Sequence, residues 1–361
     1  MIQRKSKRTF SSFHTRYYWC LVLIGLAWAC KDDPRNNAIQ RLGSKNIIFL
    51  DSIQAATAIV MNDAEGFFGR ITSLDMALQM KRNFPSGTSR DSILSAYRDF
   101  LARDVATFDD RETLLLTELL HDLRNRCQQI APTLFPQKLQ LLKTKANHYG
   151  PGVWYTRGSC IAIPANVLVQ PDKTALREVL AHELFHIYSR YHPQQRLALY
   201  ALIGFEPLSG DLRLPPPVQS RLLLNPDGAH LAYAIRLAQG QGDTIQALPI
   251  LTSKAPAWIE SRPAYLEYLN FNLYPVVQTP DGAWAVQADE LGRSALHVNE
   301  QSDFFRQIGD NTLYIIHPDE ILADNFKWLV LAQPGEGRYP LDRFSEAGRA
   351  LLEQIKTILK N

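Results

Sequence analysis

The ten residues Val179-Leu180-Ala181-His182-Glu183-Leu184-Phe185-His186-Ile187-Tyr188 constrain this chain more than any other stretch, because they set two histidines and a glutamate inside a helical, apolar run. Thr174 to Tyr191 contains neither Pro nor Gly, and Asp172 or Thr174 can cap its start. Leu176, Val179, Leu180, Leu184 and Ile187 make the helix apolar around most of its circumference, so it belongs in a core. Residues four apart on a helix share a face, so His182 and His186 can offer both imidazoles to one ion, with Glu183 beside them. Burying a carboxylate and two imidazoles is costly unless something pairs with them, and a divalent cation does so. Two neutral imidazoles suit zinc. Glu183 then stands where a base can take a proton from a water acidified by the ion. The bare pattern arises by accident in about one chain of this length in a hundred, so its setting carries the argument.

That setting resembles the catalytic helix of the zincin metallopeptidases, which has Val or Thr three residues before the first His and uncharged residues around both. Val179, Leu180, Leu184, Phe185, Ile187 and Tyr188 fit that pattern. The resemblance covers only this helix and one further motif. It implies bound Zn2+, a peptide or protein substrate, and an α+β, zincin-like fold. Such a fold has a helix-rich N-terminal part, a small mixed sheet packed on the HExxH helix, and C-terminal helices.

A catalytic zinc site takes three protein ligands and leaves a position open, so a third donor is needed. Glu320-Ile321-Leu322-Ala323-Asp324 places two carboxylates on one helical face, one able to bind metal and the other able to accept the outer N–H of a ligating His. The gluzincin branch uses its Glu-x-x-x-Asp motif in this way, which makes Glu320 the preferred third ligand and Asp324 its supporting residue. Glu320 follows His186 by 134 residues, a long separation that requires an insertion. His192 has the spacing of a metzincin third ligand, but Ser189 replaces the turning Gly of that pattern and no Met follows Met80. Glu206 is followed directly by Pro207, which ends a helix rather than continuing one. Glu260 remains a further alternative. For the donor that stabilises an oxyanion, Tyr265, Tyr314, Arg262 and His317 are not separated by sequence.

The first 29 residues read as an export signal. Arg4, Lys5, Lys7, Arg8 and Arg16 precede the apolar run Trp19 to Ala29, which is too short to cross a bilayer. Cys30 follows Ala27-Trp28-Ala29 and is a candidate for lipidation, giving a membrane partner through an N-terminal lipid. Cys30-Lys31-Asp32-Asp33 resembles the signal that sends some bacterial lipoproteins to the cell surface. The expected location is therefore the outer membrane, facing the periplasm or the exterior. Removing the leader leaves 34 basic and 36 acidic residues, so the apparent basic bias disappears and nucleic-acid binding has no support. Cys127 and Cys160 then remain, as a disulfide or as two buried thiols.

Residues 30–46 read as a tether and 47–361 as the folded body, with 47–147 helical and 148–361 catalytic. Periodicity predicts helices over 71–82, 90–106, 111–127, 136–144, 194–203, 319–331 and 345–359. Strands are expected over 153–159, 160–168 and 312–316, with a hairpin turning at Thr279-Pro280-Asp281-Gly282. The segment 160–165 is expected at a sheet edge, where a substrate backbone could lie. The competing reading is a surface-binding lipoprotein whose metal site is structural or degenerate. Composition does not fix the oligomeric state.

Overall fold

The structure is a computed structural model describing residues 46–61, 65–240, 242–332, 339 and 341–361. The leader 1–29, Cys30 and nearly all of the tether 30–46 lie outside the described residues. Among the described residues, no helix is long and apolar enough to cross a membrane.

The helix Lys173–Tyr191 starts where the Asp172 carboxylate accepts from the backbone N–H of Thr174 at 2.8 Å, supplying an acceptor that the first turn lacks. Every residue from Leu180 to Ser189 is buried, so the helix has no solvent face there. The helix Asp110–Ile130 packs on one side of it and the helix Pro318–Leu331 on another. Arg177 joins the first of these through Asp122 at 2.9 Å, and the Phe185 ring meets Phe326 of the second at 5.6 Å. Pro318 opens its helix at the position where a missing N–H costs nothing, and His317 Nδ1 accepts from the Asp319 N–H at 3.1 Å.

The first sheet contains β1 (Ile47–Phe49), β2 (Val105–Ala106), β3 (Leu139–Thr144), β4 (Tyr155–Arg157) and β5 (Cys160–Pro164). Its order is β1-β3-β5-β4, with β2 also paired to β3. Strands β1, β3 and β5 run parallel, and β4 returns antiparallel at the edge. Two expectations are corrected here. The segment 136–144, expected as a helix, contains the interior strand β3. The segment 160–165 lies between β3 and β4 rather than at an edge. Both faces of this sheet are covered: Leu139, Leu141, Ile161 and Ile163 enter the core around the HExxH helix, while Leu142, Cys160 and Ala162 enter a second core under the N-terminal helices. Cys127 and Cys160 lie in different cores as free thiols, and burial pushes each up to about 12.

Between the HExxH helix and Pro318–Leu331 the chain inserts a second sheet. Its strands are β6 (Phe205–Pro207), β7 (Leu212–Arg213), β8 (Leu222–Leu223), β9 (Tyr233–Gly240), β10 (Asp243–Ser253), β11 (Leu269–Gln278) and β12 (Trp284–Val286). The order is β6-β9-β10-β11-β12-β7, with β8 also paired to β10. Of this sheet only the β11–β12 hairpin was expected, and it forms with Val276 opposite Val286. Residues 312–316, expected as a strand, have no regular structure, because the Thr312 hydroxyl turns back to accept from the Tyr314 N–H at 2.8 Å. The described residues thus form an α+β fold of eleven α-helices and two mixed sheets. Strands β1 to β3, from the part read as helical, share a sheet with β4 and β5 from the part read as catalytic.

A buried carboxylate ties the N-terminal helices to the inserted sheet. Asp75, in the helix Ser73–Gln79, accepts from Gln79 Nε2 at 2.8 Å, Tyr265 O–H at 2.9 Å and the Leu224 N–H at 2.9 Å. Burial outweighs these bonds and raises its carboxyl from 3.8 to about 6. A raised acid takes up a proton on folding, so its penalty is complete above the folded value and relieved as the pH falls from there towards the unfolded value. We expect this group to add about 1 kcal/mol of stability between about pH 7.5 and pH 5. Chemical denaturation of wild type and Asp75→Asn across that range checks it: the variant's stability should lack this rise, and identical profiles would remove the assignment.

Candidate metal centre

His182 and His186 lie one turn apart on the buried HExxH helix, with ring centroids 4.8 Å apart. Glu320 lies in the first turn of Pro318–Leu331, facing them. Its Oε2 is 2.9 Å from His182 Nε2 and 3.4 Å from His186 Nε2. The far side of each ring meets its own carboxylate: His182 Nδ1 stands 3.0 Å from Asp324 Oδ1, and His186 Nδ1 stands 2.7 Å from Asp319 Oδ2. Such acceptors hold the proton on Nδ1 and leave both Nε2 atoms to face one point.

The outer carboxylates are themselves held. Asp319 Oδ1 accepts from Ser189 at 2.5 Å and from Tyr200 at 2.7 Å. Asp324 accepts from Thr312 at 2.5 Å and from Lys327 at 2.6 Å. Asn225 Nδ2 donates to Glu320 Oε1 at 2.7 Å, leaving Oε2 for the imidazoles.

His182, His186 and Glu320 form a buried group whose donor atoms all lie within 4.8 Å of one another. Donors about 2.1 Å from a tetrahedral ion stand about 3.4 Å apart, so the observed separations suit one. Among the described residues, His186 Nε2 is buried without a hydrogen-bond partner, as is Glu183 Oε2. Burial opposes charge on His182, but its hydrogen bonds to Asp324 and Glu320 outweigh it and raise the imidazole to about 9. Glu320 and Asp227 likewise lift His186 well above its usual value against the effect of burial. Glu320 is held well below the carboxylate range, despite burial, by His186 and His182. Burial first, then the Asp227 charge, push Glu183 up to about 8. Carboxylates outnumber imidazoles here, so the site attracts positive charge, whether protons or a metal cation.

His182 and Glu320 border a cleft of about 450 Å³ whose wall includes Trp154, Val179, Glu183, Leu269 and Tyr314, while His186 faces a smaller cavity behind them. The Tyr314 ring stacks on His182, with centroids 5.8 Å apart and planes at 27°. The Glu320 charge, followed by burial, holds its phenol well above the usual range, so it keeps its proton and can donate. The last residues before edge strand β4, Gly152 to Trp154, also line the cleft.

The other sequence candidates lie elsewhere. His192 ends the HExxH helix and turns back, its Nδ1 2.8 Å from the Tyr188 carbonyl and its ring stacked on Tyr188. Glu206 is exposed on β6 and stands 3.6 Å from Arg236, and Glu260 is exposed in a turn. Tyr265 is committed to Asp75 and His317 to its helix start, and Arg262 does not line the cleft. Sequence reasoning missed three residues: Asp319, Asn225 and Asp227. Asp319 adjoins Glu320 and could have been found from its place in the same first turn. Asn225-Pro226-Asp227-Gly228 carries an ordinary turn composition, which hides its place beside Glu320 and the cleft.

Replacing Asp324 with Ala is expected to weaken zinc binding by about 10–100-fold, measured by competition with a chromophoric chelator. The same measurement on His192→Ala, Glu206→Gln and Glu260→Gln should return wild-type affinity, and a loss in any of these would displace Glu320 as the third donor. Set against protein-family models, curated proteins and solved structures, the chain matches none of them.

Proposed function

We propose that this protein is a zinc-dependent metallopeptidase of zincin type, gluzincin-like in its ligand set, that hydrolyses peptide bonds with water. One observation carries the reading: three buried donors, His182, His186 and Glu320, converge on one point, and two of them, His182 and Glu320, line a cleft that also holds Glu183. A structural zinc site is closed by four ligands, whereas a catalytic one keeps an open position beside a base.

Bound zinc supplies Lewis-acid polarisation and brings the pKa of water towards neutrality. The side chains supply the rest. Asp324 and Asp319 fix the orientation of the two imidazoles, and Asn225 fixes Glu320. Glu183 takes the proton of the attacking water and passes it to the leaving amine. The Tyr314 hydroxyl donates to the carbonyl oxygen as negative charge develops on it. The edge strand β4 offers main-chain groups along which an extended peptide can lie, with Trp154 beside the reacting bond. With the leader and Cys30 read as in the sequence, the enzyme works at the bacterial envelope, held by lipid.

In zinc-loaded protein, Glu183→Gln should keep the metal and lose about 10²–10⁴-fold in kcat, while His186→Ala should lose metal and activity together. Tyr314→Phe should lower kcat by about 10²-fold with metal content unchanged. Metal analysis beside peptide turnover reads all three, and full activity in Glu183→Gln would remove the mechanism.

A further inference from the structure

The loop Asn225 to Gly228, carried to the site by the inserted sheet, brings a carboxylate that the mechanism above does not use. Asp227 is 6% exposed and lines both the 450 Å³ cleft and a smaller polar cavity of about 110 Å³ beside His186. Its ligand atoms lie within 4.8 Å of those of Glu183 and His186. The carboxylate cannot swing freely, because Oδ1 accepts from the Thr156 N–H at 2.6 Å and from its hydroxyl at 2.5 Å. The loop around it is equally fixed. Asn225 is bonded to Glu320, and at Gly228 a Cβ would lie 2.4 Å from the His317 ring that caps the metal-binding helix.

Distance indicates what this carboxylate meets. Glu183, Asp227 and Glu320 are three buried carboxylates about the reacting position, and both Thr156 bonds to Asp227 end on Oδ1, so neither engages Oδ2. Glu183 Oε2 is buried there with no hydrogen-bond partner. In any amino acid the α-nitrogen lies only about 2.5 Å from its own carbonyl carbon. A carboxylate this close to the ligand group therefore reaches the nitrogen of the residue whose carbonyl is attacked, and not one further along the chain.

Resting on the peptidase reading, we propose that Asp227 binds the α-ammonium of the substrate's first residue, which makes the enzyme an aminopeptidase acting on peptides with a free N-terminus. The bound ammonium donates to the Asp227 carboxylate, at the oxygen that Thr156 does not hold. The pinned loop sets Asp227 in the cleft wall, so a peptide extending further on the amino side has to pass that carboxylate. Asp227 sets specificity, and Glu183 keeps its role as base.

Two measurements on the zinc-loaded protein test this. The first compares kcat/KM for a short peptide with a free amino group and for its N-acetyl form. Wild type should favour the free form by about a hundredfold or more, and Asp227→Asn should lose most of that preference through KM. The second is calorimetric and needs no turnover: leucine hydroxamate should bind wild type about tenfold to a hundredfold tighter than N-acetyl-leucine hydroxamate, and the two should bind Asp227→Asn alike. Equal affinity of the two hydroxamates for wild type overturns the proposal even if the variant fails to fold. Cleavage of N-acetylated or internal bonds at the same rate overturns it while leaving the peptidase reading intact. Failure of the zinc-loaded wild type to cut any peptide removes both.

Discussion

The packing of Lys173–Tyr191 against Pro318–Leu331 buries two imidazoles and several carboxylates at one contact, and the rest of the site depends on making that contact tolerable. An unpaired buried charge costs several kcal/mol, far more than a buried methylene returns. Here nearly every such group has a partner. Asp319 receives two hydroxyls and a ring N–H, Asp324 receives Lys327 and Thr312, and Glu320 receives Asn225. The exceptions are His186 Nε2 and Glu183 Oε2, the two atoms that a bound ion and an attacking water would engage. The helix pair is thus satisfied on its outer side and left wanting at its centre.

The long separation between His186 and Glu320 fits this arrangement because the intervening chain returns to the site. Strands β6 to β12 form a sheet of their own, and its loop at Asn225 to Gly228 contributes to the very helix contact it interrupts. Thr156 on β4 binds Asp227 of that loop, so the first sheet, the inserted sheet and the helix pair meet at one place. Asp75, bound to both Tyr265 and Leu224, secures the same insertion from its other side. An insertion usually hangs from a fold at two points; this one is cross-linked to it by buried hydrogen bonds.

The helices with one clear apolar stripe or a strong cap were legible in the sequence: Asp172 before the HExxH helix, His317-Pro318 before the acidic one, and the closing helix Glu346–Lys360. The spacing within Glu320-Ile321-Leu322-Ala323-Asp324 was legible too, because both side chains answer to helical geometry alone. What failed was anything whose pattern reflects two-sided burial. Leu139-Gln140-Leu141-Leu142-Lys143-Thr144 lacks strand alternation because Leu141 and Leu142 face different cores, and Lys143 is buried against Glu112 at 2.6 Å. Asn225 and Asp227 were invisible for a different reason: turn composition is the same whether a loop points into solvent or into an active site.

Whether a site holds an ion for structure or for chemistry depends on what stands in the fourth direction. A closed site would need another donor from this chain, and among the described residues Asp227 is the nearby carboxylate left over once Asp319 and Asp324 are assigned and Glu183 is read as a base. Asp227 belongs to a second group, with Glu183 and His186, whose donor atoms also lie within 4.8 Å of one another and could hold an ion, and the two groups share only His186. The Asp227 Oδ1 is spent on Thr156 and the loop that bears it is wedged against His317, so only Oδ2 is available, and only from a fixed position. A carboxylate pinned through one oxygen keeps the other for whatever enters the site, and the cleft it shares with Glu183 and Tyr314 is the space available.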